Sequence, residues 1–593
     1  MNEPRFAIGI DLGTTHTALS SSSLSSDEPP SIFAIPQVTQ PHEVAAQPLL
    51  PSFVYLPQQS ELAPGATALP WAQDRAFCVG ALARDKSASV PGRVVASAKS
   101  WLSHSGVDRR AAILPHGATA DSDVERLSPI EVQTRLLRHL VEAWQHSHAD
   151  APLDEQEIVL TVPASFDAVA RALTEEAARG AGIDNATLLE EPQAALYAWL
   201  AMKGDGWRKD MKPGDQILVV DIGGGTTDFS LIAVEDDGAG NLQLVRKAVG
   251  DHILLGGDNM DLALAFTVKQ RLEAEGKSID DWQLRALTHS CRVAKEALLE
   301  DTSRTSHGVV IPGRGSKLIG GTLRAEIARS DLDAVLLEGF FPRVDRSARP
   351  LEKRRSALMT LGLPYAHDAG ITRHLAAFLD GQAPTALLFN GGVMRSAVLR
   401  ARIVEILNGW LHDAGAPPAT VLPGADPDFA VARGAAAYAR VRRGKGLRIK
   451  GGTARAYYVG IERAELAVPG IPPRVDAVCI APKGMEEGTA VTLPRELGLV
   501  VGEPATFRFF ASSTRQDALA VIVEVTPQAG LTEIAPIETI LPAEASGARA
   551  AVVPARLEAR VSEVGTLELA AVEVASARRH RLEFSVRGEE PLG

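Results

Sequence analysis

Runs of aliphatic and β-branched residues that end in an acidic residue and a glycine-rich turn recur along the first half of the chain. Ile8-Gly9-Ile10-Asp11-Leu12-Gly13-Thr14-Thr15 returns as Val219-Val220-Asp221-Ile222-Gly223-Gly224-Gly225-Thr226-Thr227. A second apolar run follows each, Ala18-Leu19 in one and Phe229-Ser230-Leu231-Ile232 in the other. The pattern predicts two hairpins, each with an acidic turn. Between them, Ile158-Val159-Leu160-Thr161-Val162 reads as a buried strand. A helix is predicted from about Asp167 to Gly182, and a second opens at Glu191-Pro192, with proline at a helix start and glycine at a helix end as punctuation.

From Asp258 the period is helical to about Glu275, with Gly276 as the stop. The next helix spans about Asp281 to Leu299, with Leu284, Leu287, Cys291, Ala294 and Leu298 on one face. Phe340 to Thr372, which carries Arg343, Arg346, Arg349, Pro350, Lys353, Arg354 and Arg355, fits no period and reads as an insertion or solvated loop. A third glycine turn, Asn390-Gly391-Gly392, follows the apolar strand Ala386-Leu387-Leu388-Phe389 and leads into a helix from about Arg395 to Trp410. A last helix covers about Pro427 to Val441. Arg440, Arg442, Arg443, Lys445, Arg448 and Lys450 then put six cations into eleven residues, closed by Gly451-Gly452, and mark a linker. From Ala454 to Arg587 short apolar runs alternate with turn residues, as in Phe507-Arg508-Phe509-Phe510, Ala520 to Val525 and Thr566-Leu567-Glu568-Leu569. Such spacing predicts an all-β sandwich or barrel-like domain.

Length adds that one core is not enough: 593 residues call for two or more domains. With 45% hydrophobic and 23% charged residues the chain should fold, and a net charge of −12 argues against nucleic acid as a partner. Cys78, Cys291 and Cys479 are too few and too dispersed for a disulfide framework or a metal cluster, which fits a reducing compartment. Neither an export segment at Met1 to Phe6 nor a membrane-length apolar run is read, so a cytoplasmic protein without membrane attachment is expected.

Glycine turns after strands let backbone N–H groups close on phosphate oxygens, and threonine hydroxyls add donors. Gly13-Thr14-Thr15 and Gly223-Gly224-Gly225-Thr226 therefore form a candidate pair of clamps on one polyphosphate. Asp11 and Asp221, at the strand ends, are the candidate Mg²⁺ holders, one of them also orienting an attacking water. Gly391-Gly392 is placed under a nucleoside, with Arg395 stacking on the base; a plain strand-to-helix turn and a solvated arginine are the alternatives.

Several motifs together resemble the seventy-kilodalton heat-shock (DnaK-type) chaperone family. They are Asp11-Leu12-Gly13-Thr14-Thr15, Val162-Pro163-Ala164-Ser165-Phe166, Glu191-Pro192-Gln193-Ala194-Ala195, Asp221-Ile222-Gly223-Gly224-Gly225-Thr226, Leu255-Gly256-Gly257-Asp258 and Gly391-Gly392. Their order and spacing are similar to the family's over about residues 5 to 440. The resemblance implies an α/β, actin-like ATPase fold with duplicated ribonuclease H-like lobes over 1–442, a basic linker over 443–453, and a β-sandwich, substrate-binding-like domain over 454–593. It implies ATP/ADP and Mg²⁺ as cofactors, with Asp11 and Asp221 at the metal and Lys99, Glu191, Asp221, Thr226 and Asp11 as catalytic residues. Gly13, Thr14, Thr15, Gly223, Gly224, Gly225, Thr226, Gly257, Asp258, Lys295, Gly391, Gly392, Arg395 and Asp428 are the implied nucleotide contacts. Taken without the resemblance, Lys99 is a solvated helix lysine and Glu191 a first-turn carboxylate favoured by the helix dipole. Pro163 and Arg171 match residues through which the family relays nucleotide state; otherwise they are a turn proline and an exposed helix arginine.

The departures from the family pattern are specific. Lys295 is kept, but Arg292 replaces an acidic residue, Glu296 a basic one and Leu299 a serine; Val393-Met394 replaces a Ser-Thr pair. Tyr458-Val459-Gly460-Ile461-Glu462 and Glu563 to Leu569 are similar to the family's β domain only in outline. The usual Leu- and Asp-rich linker gives way to the basic run, and the chain closes just after the last β pattern. A divergent, bacterial-like member lacking the helical lid is therefore expected: an ATP-dependent chaperone controlling capture of unfolded polypeptide, with a co-chaperone or exchange factor as a further partner and roles in protein folding and stress response. The competing readings are a small-molecule kinase on the same fold, and a nucleotide-gated scaffold with little hydrolysis.

Overall fold

A computed structural model describes all residues except 1–2, 59–60, 88, 105, 117–124, 167, 237–241, 251–252, 314–321, 352–365, 425, 445–455, 464–473, 484, 486–488, 513, 527, 542–550, 562–566 and 582–593. The chain forms two compact units, Met1–Val234 with Val249–Arg448, and Glu235–Ala248 with Ile449–Gly593.

The first unit contains the same four-strand arrangement twice. Strands β1 (Phe6–Leu12) and β2 (His16–Ser23) form an antiparallel hairpin, and β1 also pairs in parallel with β3 (Glu157–Val162), which pairs in parallel with β4 (Thr187–Glu190). Likewise β5 (Gln216–Ile222) and β6 (Thr227–Asp236) form a hairpin, β5 pairs in parallel with β7 (Ala386–Asn390), and β7 with β8 (Thr420–Val421). The sequence repeat is thus a structural duplication. Parallel strands are buried on both faces, which explains the unbroken apolar runs: Ala7, Ile8, Ile10 and Leu12 of β1 and Ile217 to Val220 of β5 are fully covered.

Helices supply the covers. Among the helices of this unit are α1 (Ala98–Trp101), α2 (Ala168–Gly180), α3 (Glu191–Lys203), α4 (Gly257–Ala274), α5 (Asp281–Glu300) and α6 (Ala430–Arg442). Small residues let α6 come close to its neighbours. A Cβ on Gly9 of β1 would lie 2.2 Å from the Ala432 carbonyl oxygen, and one on Gly434 would lie 1.7 Å from that of Ala194 on α3. Ends follow local chemistry: Asp280 caps α5 by accepting from the Gln283 amide at 2.9 Å, and Gly276 beyond α4 has φ 79°.

The irregular segment expected over 340–372 has no regular strand or helix over its described residues 341–351 and 366–370. Its arginines are paired all the same: Arg343 to Glu405 at 2.7 Å and Arg349 to Asp380 at 2.8 Å. Lys353, Arg354 and Arg355 lie outside the described residues. The basic run behaves differently from a free linker where it is described. Arg440 donates to the Glu28 and Ser26 carbonyls, and Arg442 and Arg443 both pair with Glu157, so these cations fasten the end of α6 to the first sheet. Residues 445–453 of the expected linker are outside the described set.

From Ala456 onward the described residues of the second unit form nine strands in two sheets: β9 (Ala456–Glu462), β10 (Val475–Ala481), β11 (Ala490–Val501), β12 (Pro504–Ser512), β13 (Ile522–Glu524), β14 (Thr532–Ile540), β15 (Ala551–Val561), β16 (Leu567–Glu573) and β17 (Arg579–Arg581). Their orders are β13-β10-β9-β12-β14 and β11-β15-β16-β17. Val459, Val478, Ile480 and Phe509 from one sheet meet Leu493, Leu499, Val501, Leu557 and Leu569 from the other, so the arrangement is a sandwich rather than a barrel. The run Ala520 to Val525 yields only the three-residue β13. Ala520 is left-handed at φ 65°, and the Val521 amide donates to the Ala518 carbonyl, so a turn takes the start of that run. None of the helices searched among the described residues is long and apolar enough to cross a membrane.

Candidate functional site

A cleft of about 720 Å³ in the first unit is lined by the turns of both hairpins and by the ends of β7, α3 and α5. In the β1-β2 hairpin Leu12 pairs with Thr17, leaving Gly13-Thr14-Thr15 in the turn; in the β5-β6 hairpin Ile222 pairs with Thr227. The second turn is locked by Gly223 N donating to Thr226 O at 3.0 Å. It is tied to the start of α4 by Gly257 N to Gly223 O at 3.0 Å and Asp258 N to Gly224 O at 2.8 Å. Ser52 holds the first turn by donating to Gly13 O at 2.7 Å.

Of the residues singled out from the sequence, Asp11, Gly13, Thr14, Thr15, Lys99, Glu191, Asp221, Gly223, Gly224, Thr226, Gly257, Asp258, Lys295, Gly391, Gly392, Arg395 and Asp428 all line this one cleft. Gly225 does not; its Cα faces Ser100 and Thr14, where a Cβ would come within 2.8 and 2.9 Å of their side chains. Lys99 is not a solvated lysine. It is 3% exposed and ion-paired with Glu191, which α3 presents on the first residue after β4. Arg171 is likewise buried, donating to Phe166 O, Ala164 O and Glu190 Oε1 at 3.1, 3.2 and 2.9 Å. Its partner precedes Glu191, so this network fixes the start of α3.

Burial, and then the neighbouring Glu191, pushes Asp11 up to about 7. Burial likewise raises Asp221 well above the usual carboxylate range, with Glu191 again adding to it. Asp228, opposite Asp221 in the hairpin, is pushed up to about 7 chiefly by burial. Sequence reasoning missed Asp228, although its place two residues after Thr226 mirrors Asp221 across the turn. It also missed Asp261. Asp258 and Asp261 stand one turn apart on α4 and face Arg292 and Lys295, one turn apart on α5. Arg292 bonds Asp258 at 2.6 Å and Asp261 at 2.8 Å, and Lys295 pairs with Asp261 at 2.6 Å. That reciprocal three-residue spacing of opposite charges was the available signal. The cation at 292 is therefore consumed by α4 carboxylates. Asp258 also accepts from Ser97 at 2.7 Å, just ahead of α1 and Lys99. Arg395 is 61% exposed at its side chain and pairs with Asp428 at 3.3 Å.

The donor set fits a metal-bound nucleotide. Thr15 Oγ1 is buried without a hydrogen-bond partner, and a Cβ on Gly224 would fall 1.8 Å from it, so only glycine leaves room there. At Gly392 a Cβ would meet nothing within 4 Å, so this turn leaves a flat backbone wall. Asp11, Glu191, Asp221 and Asp228 crowd their carboxyl groups around Lys99, and a divalent cation would favour their ionised forms. Among the described residues no three acidic, histidine or cysteine side chains converge into a cage. A cation held by one or two carboxylates would complete its shell with water and phosphate, the manner of Mg²⁺.

The sequence model described as Hsp70 protein matches residues 68–352. Over this stretch the chain resembles the Hsp70 family. It is 30% identical over 444 residues to a chaperone protein HscA homolog of Acidithiobacillus ferrooxidans, covering 73% of this chain and 58% of that one. It is 31% identical over 323 residues to an HscA homolog of Pseudomonas putida, covering 52% and 44%, and 28% identical over 455 residues to one of Shewanella baltica, covering 74% and 59%. The chain thus spans less than two thirds of the length of these relatives.

Proposed function

We propose that this chain is a slow, Mg²⁺-dependent ATPase of the Hsp70 type that uses nucleotide state to control capture of unfolded or extended polypeptide. The observation that carries the reading is the convergence of three glycine turns and the Lys99–Glu191 pair on one cleft. The repeated strand order supports an actin-like fold with two ribonuclease H-like lobes over 1–442, followed by a basic linker over 443–453 and a β domain over 454–593 that holds the client. ATP and ADP are the nucleotides, a cytoplasmic setting is the expected one, and a co-chaperone or exchange factor is the further partner.

Each side chain has a task in this reading. The Thr14, Thr15 and Thr226 hydroxyls and the N–H groups of Gly13, Gly223 and Gly224 bind phosphate oxygens. Mg²⁺, when bound, neutralises charge on the phosphates. Asp11 and Asp221 hold that cation, and one of them orients the attacking water. Lys99 offsets charge that develops on the transferred phosphoryl group, and Glu191 keeps its ammonium in place. Asp258 and Lys295, with the Gly391-Gly392 wall, Arg395 and Asp428, hold the nucleoside.

The test is ATP binding and single-turnover hydrolysis by the wild type, Lys99→Ala and Asp221→Ala, with and without an unfolded polypeptide. Magnesium-dependent hydrolysis that is lost in both variants and stimulated by polypeptide supports the reading. Turnover indifferent to both substitutions removes the active-site assignment.

A further inference from the structure

Asn390 is the last residue of β7, and the parallel register sets it opposite Asp221 of β5. Registered residues on adjacent strands leave the sheet on the same face, so both side chains emerge together at the strand ends that line the cleft. Asn390 is 1% exposed and Asp221 6% exposed. The Asn390 Nδ2 amide donates to Asp221 Oδ2 at 2.6 Å. Once Asp221 is ionised, as it is when it holds a cation, its carboxylate only accepts, and the nitrogen end of the amide is the end that faces it.

The other carboxylate oxygen lies close to the next residue of the turn, which has to be glycine. Gly391 has φ 86°, and a Cβ there would fall 2.6 Å from Asp221 Oδ1 and 2.4 Å from the Ile222 carbonyl oxygen. Asp221 is therefore fixed through Asn390, while the missing side chain at Gly391 leaves its second oxygen the room it occupies. This leaves Asn390 Oδ1, a buried carbonyl acceptor without a hydrogen-bond partner, in a residue that lines the acidic end of the cleft. Buried polar atoms are rarely left unpaired, and one beside a group of carboxylates calls for a donor that arrives with the ligand. Hard divalent cations bring such donors as coordinated water, and their shells combine carboxylate, carbonyl and water oxygens.

We propose that Asn390 is a positioning residue for the divalent cation, fixing the Asp221 carboxylate through its amide nitrogen while its Oδ1 accepts a hydrogen bond from a water that the cation carries. The inference rests on the nucleotide reading of the cleft but concerns the metal alone. Asn390→Leu keeps the branching and heavy-atom count of the side chain and removes both polar atoms.

The experiment titrates Mn²⁺ into the full chain, with and without saturating ADP, and reads free Mn²⁺ by electron paramagnetic resonance; ADP affinity in EDTA is measured in parallel. Loss of an oriented outer partner lowers metal affinity by roughly 10-fold or more. We expect that loss of Mn²⁺ affinity in Asn390→Leu, with ADP affinity in EDTA within about 2-fold of wild type, a split that general loosening of the turn would not produce. Wild type and Asn390→Leu taking up Mn²⁺ alike, parallel loss of Mn²⁺ and ADP affinity, or no Mn²⁺ uptake by wild type would each overturn the inference. Absence of ADP binding in every condition, with the Mn²⁺ difference intact, would instead refute the nucleotide reading. Should Asn390→Leu fail to fold, Asn390→Ala is read by the same criteria.

Discussion

Asp228→Asn should make the first unit more stable at alkaline pH and slightly less stable in acid. Asp228 is 3% exposed, and burial raises its carboxyl from 3.8 to about 7. A carboxyl raised in the folded state keeps its proton there after the unfolded chain has released its own. Stability therefore falls as pH rises from about 4 to about 7, then levels. The shift is about 3 units, and each unit corresponds to 1.36 kcal/mol, so the full penalty is about 4 kcal/mol. By pH 5 less than half of it has appeared, and by pH 8 essentially all, so wild type and variant should diverge by about 3 kcal/mol over that interval. Loss of hydrogen bonds from Ser165 and Thr226 costs the variant about 1 kcal/mol at every pH and leaves the divergence intact. Urea unfolding in EDTA, followed by tryptophan fluorescence, measures it. All seven tryptophans, at 71, 101, 144, 199, 207, 282 and 410, belong to the first unit, so the signal reports that unit alone. Stability curves that stay parallel from pH 5 to pH 8, or a gap that narrows, would show that Asp228 titrates as an ordinary carboxylate.

Other expectations use separate readouts. Lys99→Ala leaves Glu191 among Asp11 and Asp221 without its cation; single-turnover hydrolysis should fall by roughly 100-fold or more, and unchanged turnover would remove Lys99 from the chemistry. Gly434→Ala puts a methyl group 1.7 Å from the Ala194 carbonyl oxygen, so α6 must move off α3. A loss of about 1–3 kcal/mol by urea unfolding is expected, and a neutral result would mean the two helices are not in contact as described. Arg171→Met removes the partner of the buried Glu190, which should cost about 3 kcal/mol or more in unfolding; a loss below 1 kcal/mol would make the pair dispensable.

What could be read from the sequence follows the range of the interactions involved. The two hairpins were legible because a β-branched run, a carboxylate and a glycine turn are contiguous, and because they occur twice. The start of α3 was legible for the same reason, since Glu191-Pro192 is a local signal. Lys99 was ambiguous in isolation because nothing in Ala98-Lys99-Ser100-Trp101 reveals that Glu191, 92 residues away, is buried against it. Resemblance to a family resolved that, but it also cast Arg292 as a loss. The geometry makes it one half of a new pairing, with Asp258 and Asp261 as its partners.

Asn390 shows the limit most clearly. Read locally it is one more turn residue before two glycines, since asparagine favours turns wherever it occurs. Its consequence comes from a parallel register between β5 and β7, whose paired residues Asp221 and Asn390 are 169 positions apart. A parallel pairing is set by the crossover that lies between the strands, not by a turn whose length can be counted. Hairpin registers, and with them the facing of Asp221 and Asp228, follow from turn length and can be written down from sequence. Parallel registers require the whole intervening chain to be folded first. The cleft combines both kinds of pairing: its glycine turns were predictable, whereas the amide that fixes its central carboxylate was not.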